Sequence, residues 1–114
     1  MKKNKYISEA KNVINLEIIA LQKLKKNINN SFNKAVTQIV KCNSKVILCG
    51  VGKSGIIASK IASTFSSVGT PSFSLAASEA SHGDLGMISK KDILILISNS
   101  GKTAELKNII QYAI

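Results

Sequence analysis

Val46-Ile47-Leu48-Cys49-Gly50-Val51-Gly52-Lys53-Ser54-Gly55 is the stretch that decides the architecture of this chain. Its first four residues are apolar without alternation, the pattern of a strand covered on both faces in a parallel sheet. Glycines then allow a tight reversal, and Ile56 to Ser67 carries the residue spacing of a helix. The same order recurs downstream. Gly69-Thr70-Pro71 makes a turn before a short strand over Ser72 to Ala76, and a polar loop, Ser78 to Gly86, holds the single histidine, His82. Asp92 precedes a third strand, Ile93-Leu94-Ile95-Leu96-Ile97. Ser98-Asn99-Ser100-Gly101-Lys102-Thr103 follows, and a last helix runs from Ala104 to the end. Repeated strand, loop and helix predict right-handed βαβ crossovers and an α/β fold with a parallel sheet of about three strands.

Upstream of Lys45 the character is helical. Val13, Ala20, Leu21, Leu24 and Ile28 form one stripe, with Ile14 and Ile18 beside it. Asn27-Ile28-Asn29-Asn30 breaks the helix, and Ser31 is the predicted cap of a second one. Its predicted inner face is Phe32, Ala35, Val36, Ile39 and Val40. Residues 1–44 thus read as a helical segment and residues 45–114 as the part that carries chemistry.

Length and composition suit one domain, with 114 residues, 45% hydrophobic and 19% charged. No apolar run approaches the roughly 20 residues that span a bilayer. Glu9, Lys11 and Glu17 interrupt the place where a signal peptide would carry its apolar core. The expected location is the cytoplasm, with no membrane partner.

The formal charge of +10 raises the question of nucleic acid. Residues 1–45 hold ten Lys and two Glu, whereas residues 46–114 hold six Lys against Glu79, Asp84, Asp92 and Glu105. All sixteen basic residues are lysine, so the arginine fork that dominates base readout is missing. Stacking platforms are missing too, with aromatic residues at 4%. A solvated lysine-rich helix face is the reading, and nucleic acid is not expected as a partner. Cys42 and Cys49 match no zinc spacing and are expected to be reduced, buried thiols.

In parallel α/β sheets ligands bind outside the carboxyl ends of the strands. Two Ser/Gly/Lys-rich turns sit there, after the first and third strands. A glycine turn entering a helix converges backbone N–H groups on an anion, with the positive end of the helix dipole behind them. Without arginine, a phosphate would be held by N–H groups, by the hydroxyls of Ser54, Ser98, Ser100 and Thr103, and by the charge of Lys53. Ordinary helix capping is the plainer role for those hydroxyls. A Walker A loop would need glycine at Ile47, and that reading fails. G-x-G-x-x-G does fit Gly50, Gly52 and Gly55. A dinucleotide site would also need an acid at the end of the second strand, yet the first acid, Glu79, lies beyond it. A dinucleotide-binding fragment therefore stays a minor alternative, and no cofactor is expected.

Taken together, Gly50-Val-Gly-Lys-Ser-Gly55, Gly69-Thr-Pro71, Glu79-Ala-Ser-His-Gly-Asp-Leu-Gly-Met87 and Ser98-Asn-Ser-Gly101 resemble the D-arabinose 5-phosphate isomerase family of sugar-isomerase (SIS) domains. The resemblance covers the chain from its helical start, and the Glu79–Met87 block is its most specific part. It implies a flavodoxin-like parallel sheet of five strands, often followed by a pair of cystathionine-β-synthase domains. It implies interconversion of D-ribulose 5-phosphate and D-arabinose 5-phosphate, a step toward the lipopolysaccharide sugar Kdo. Carried over by position, it implies catalytic roles for Lys53 and Glu105, and substrate contacts at Gly69, Thr70 and His82. Such chemistry needs a base near the C1/C2 proton, an acid, and a cation for the developing enediolate.

Three departures stand out. Ala76 occupies the place where many relatives carry a metal-binding histidine, so no metal is expected. Lys102 replaces a customary acidic residue. The family's second catalytic Glu, its catalytic His and its remaining strands would lie beyond Ile114. The expectation is a truncated SIS domain that binds a sugar phosphate but is inactive or weak alone. The alternatives are a non-catalytic interaction module, or one half of a split isomerase. The open edge of the third strand would then take a second copy of the chain or a complementary C-terminal half.

Overall fold

The structure, a computed structural model, describes residues 2–76, 84–100 and 104–113. It falls into two compact units, Met1–Thr37 and Gln38–Ile114. The first contains α1 (Lys2–Asn27) and most of α2 (Asn30–Lys41). Of the predicted stripe, Val13, Ala20, Leu21 and Leu24 lie on α1 and Ile28 falls just past its end, and all are exposed. The helix rests instead on residues of good intrinsic propensity, chiefly Lys, Leu, Ala, Glu and Gln. No helix among the described residues is long and apolar enough to cross a membrane.

α2 is capped two residues earlier than predicted. The Ser31 N–H donates to Asn29 Oδ1 at 2.9 Å, and the Phe32 N–H donates to the Asn29 carbonyl at 3.0 Å. Asparagine satisfies the first turn as well as serine, so Asn29 rather than Ser31 is the cap. Of the predicted inner face only Ile39 is sheltered; Phe32, Ala35, Val36 and Val40 are exposed. The reason is that only the last turn of α2, from Gln38 on, belongs to the sheet-bearing unit.

That unit is built on three parallel strands in the order β2-β1-β3, where β1 is Val46–Gly50, β2 is Ser72–Ala76 and β3 is Ile93–Ile97. Every residue of β1 is buried, as an uninterrupted apolar run predicts. Ile47 and Cys49 pack on one face with Leu75, Leu106 and Ile109. Val46 and Leu48 pack on the other with Ala58 and Ala62. Each fully buried aliphatic side chain contributes about 2 kcal/mol, so β1 is the core of this unit. Between β1 and β2 runs α3 (Lys53–Ser67), and α4 (Ala104–Ala113) follows β3. A short 3-10 turn, Asp84–Met87, precedes β3.

Asp92 ties the amino ends of β1 and β3 together. Its side chain is fully buried, and Oδ1 accepts from the Ser44 hydroxyl and, at 3.1 Å, from the Lys45 N–H. Oδ2 accepts the Ser89 N–H at 2.8 Å and faces Lys45 Nζ at 3.3 Å. Gly69 has a separate structural duty. At φ 97 it ends α3, with its N–H on Ser66 and the Thr70 N–H on Phe65, the paired bonds of a Schellman closure.

Candidate functional site

The two turns singled out from the sequence leave the same end of the sheet. Gly50 pairs with Ile97, so the chain departs β1 at Val51 and β3 at Ser98 from adjacent positions. Neighbouring strands lie about 4.8 Å apart, which sets the two turns side by side. The entry into α3 is built from backbone alone. Gly52 adopts φ 61, a left-handed conformation that other residues rarely take, and serves as a helix cap without a side-chain hydrogen bond. The helix starts at Lys53 rather than at Ile56, three residues earlier than the sequence predicts. Lys53 and Ser54 therefore sit in its first turn, beside the positive end of its dipole.

Two glycines of the motif serve contact rather than conformation. A Cβ at Gly50 would lie 2.6 Å from the Ser54 carbonyl carbon and oxygen, and one at Gly55 would lie 2.9 Å from the Gly50 oxygen. With no side chain between them, the end of β1 and the start of α3 meet backbone to backbone. This brings the N-terminal N–H groups of α3 to the mouth of the sheet.

Of the predicted residues, Lys53, Ser54, Ser98 and Ser100 gather at this end. Lys53 and Ser100 are exposed, and Ser54 and Ser98 are half-buried. Glu105 falls in the first turn of α4, which also starts from this end. His82 and Thr103 lie outside the described residues. Gly69 and Thr70 are not brought together with the others. They precede β2, and the Val46 N–H donates to the Pro71 carbonyl, which places them at the amino end of the sheet. The 15 residues of α3 separate the two ends by about 22 Å, at ~1.5 Å per residue. There Gly69, Thr70 and Pro71 line a cleft with Cys42 and Ser44.

Burial pushes the Cys49 thiol up from its ordinary pKa, which keeps it protonated and unreactive. Cys42 is only half-buried, less sheltered than expected, and its thiol faces the Lys45 and Lys91 carbonyls. Among the described residues no group of three or more His, Cys, Asp and Glu side chains is placed to hold a metal ion. Sequence reasoning did not reveal the Asp92 staple. Its signal was an acid directly before β3 with Ser44-Lys45 directly before β1.

The chain is similar to known proteins along nearly its whole length. The protein is 50% identical over 109 residues to Uncharacterized protein RP505 of Rickettsia prowazekii, covering 96% of this chain and 34% of that one. It is 47% identical over 108 residues to Arabinose 5-phosphate isomerase KdsD of Francisella tularensis, covering 92% of this chain and 33% of that one. The chain thus spans about a third of the length of these relatives. Among solved structures, c3406 of E. coli CFT073 in complex with arabinose 5-phosphate superposes with a TM-score of 0.88 at 42% identity, covering 98% of this chain and 62% of that one. The profile of the SIS domain matches residues 38–113, the whole sheet-bearing unit but its last residue. By that match, and by the fold that carries it, the chain belongs to the SIS domain family.

Proposed function

We propose that the carboxyl ends of β1 and β3 form a phosphosugar site, of the kind that interconverts D-ribulose 5-phosphate and D-arabinose 5-phosphate. The observation that carries this reading is the pairing of Gly50 with Ile97, which sets two anion-suited turns beside each other. In the proposal the phosphate sits against the α3 amino terminus and the hydroxyls of Ser54, Ser98, Ser100 and Thr103. Lys53 neutralises the phosphate or the developing enediolate, and Glu105 removes the proton next to the carbonyl. His82 contacts the sugar. Gly69 and Thr70, held at the amino end of the sheet, stay outside this pocket. No metal or cofactor enters the proposed chemistry, and the proposed location is the cytoplasm. On its own, the 114-residue chain binds sugar phosphate and turns it over weakly or not at all.

Thermal unfolding with D-arabinose 5-phosphate tests the pocket. At 100 times its dissociation constant the ligand should stabilise the fold by about 2.7 kcal/mol, and the double variant Ser98→Ala, Ser100→Ala should lose that gain. Equal protection of both proteins would remove the assigned pocket. Ribulose 5-phosphate turnover by the lone chain should lie at least ~10²-fold below that of a longer relative, the effect of one missing acid or base.

A further inference from the structure

We propose that the amino end of the sheet holds a second anion site, a lysine-lined cleft that takes a chain of two or more linked phosphates. It lies opposite the phosphosugar mouth and does not depend on that reading. The turn entering β1 and the turn entering β3 run side by side, because Val46 pairs with Ile93. Between them opens a cleft of about 410 Å³, lined by Lys41, Lys90 and Lys91 together with Gln38 and Asn43. Small-ligand sites commonly measure about 300–1,000 Å³. All three lysines are exposed, and among the described residues none of them is in an ion pair. The acid beside them is Asp92. Its side chain is fully buried and already answered by Lys45, the Ser44 hydroxyl and two backbone N–H groups. Three positive charges therefore face one cleft, with no acid among its described lining residues left to balance them.

The walls of the cleft are tied together without a ligand. The Ile93 N–H donates to the Lys45 carbonyl at 3.0 Å, and the Cys42 thiol lies 3.8 Å from the Lys45 carbonyl oxygen and 3.7 Å from that of Lys91. A ligand entering a cleft held in this way orders less chain, which favours affinity. Helix α2 accounts for one of the lysines. Lys41 stands in its last turn, where a cation suits the helix dipole. Lys90 and Lys91 lie outside any helix, so the dipole does not account for them. Charge selects the ligand class. One phosphate monoester carries about −1.5 to −2 near neutral pH, too little to balance three lysines, whereas linked phosphates carry more. Lysine also meets phosphate as a point charge and not as a planar fork, which suits a flexible phosphate chain. The side-chain amides of Gln38 and Asn43 add N–H donors.

Titrating the ¹⁵N-labelled chain with inorganic tripolyphosphate tests the site. The largest amide shifts should fall at Cys42–Lys45 and Lys90–Ile93, away from Val51–Gly55. Lys41→Gln, Lys90→Gln and Lys91→Gln, combined, should weaken binding by ~10-fold or more, the effect of losing even one charge-assisted contact. Lys23→Gln, Lys25→Gln and Lys26→Gln remove the same charge from α1, and that variant should bind as the unaltered chain does. Equal weakening of both variants would mean charge attraction without a site and overturns the proposal. So do shifts centred on Val51–Gly55, or none at millimolar tripolyphosphate. ATP in the same titration identifies the source of the phosphates. Tighter binding than tripolyphosphate upholds the site as one for a nucleotide, and weaker binding upholds it as one for an inorganic chain. If D-arabinose 5-phosphate shifts Val51–Gly55 while tripolyphosphate shifts nothing, this site is removed and the sugar reading stands.

Discussion

Gly50→Ala is expected to cost the sheet-bearing unit about 3 kcal/mol or more, at the upper end of what overpacking a core produces. The added methyl carbon would lie 2.6 Å from the carbonyl carbon and oxygen of Ser54 and 2.9 Å from the Gly55 nitrogen. These are backbone atoms in the first turn of α3, so no side-chain rotation relieves the clash. Either α3 lifts from β1 or the carboxyl end of β1 leaves the sheet. Both outcomes disturb Val46, Leu48, Ala58 and Ala62, which pack as one cluster. Gly52→Ala provides the contrast. Nothing lies within 4 Å of its added carbon, and only the φ of 61 opposes it. With ψ at −126 this is a conformation favourable to glycine alone, and holding alanine there costs about 1–3 kcal/mol. Urea unfolding distinguishes the two. A Gly50→Ala loss no larger than that of Gly52→Ala would show that strand and helix do not meet as closely as described.

Asp92→Ala is expected to be nearly as damaging, at about 3 kcal/mol, because it strips a buried carboxylate from the donors gathered around it. Lys45 is partly exposed and regains water, with 42% of its side-chain surface accessible. The loss therefore falls mainly on the Ser44 hydroxyl and the Lys45 and Ser89 N–H groups. The same site governs acid stability. Burial alone would raise the pKa of Asp92, but hydrogen bonds from Ser44, Ser89 and Lys45 outweigh it and hold the carboxyl well below the usual range. A depressed pKa means that the stabilisation is complete above the unfolded value of about 3.9 and drains away as the pH falls below it. Asp92→Asn should be less stable at neutral pH and should lose less on acidification. Urea midpoints measured from about pH 6 to pH 3, a range that brackets the unfolded value, check both. Parallel curves for the two proteins would contradict the assignment.

The strands were legible because each is an apolar run closed by turn residues. β2 and β3 fall where Ser72–Ala76 and Ile93–Ile97 were read. The start of α3 was not, since nothing in the residue types shows that Gly52 turns left-handed and lets Lys53 join the helix. Nor could the glycine pattern reveal that Gly50 and Gly55 serve close packing, which depends on where α3 lands. The stripe on α1 was legible as a period, but a period does not say whether anything covers it. Asn29 and Ser31 are both good caps, and two residues of spacing did not separate them. For the site, strand direction alone puts the turns after β1 and β3 together. It also separates Gly69 and Thr70 from them, because those residues precede β2 rather than follow it. The family resemblance supplied them as contacts without that geometry.

The central claim is that one end of this sheet holds a sugar phosphate. Titrating the ¹⁵N-labelled chain with D-arabinose 5-phosphate tests it most directly. The largest amide shifts should fall at Val51–Gly55 and Ser98–Ser100, with the Gly69 and Thr70 amides nearly still. Shifts centred on Gly69 and Thr70, or none at millimolar ligand, would contradict it.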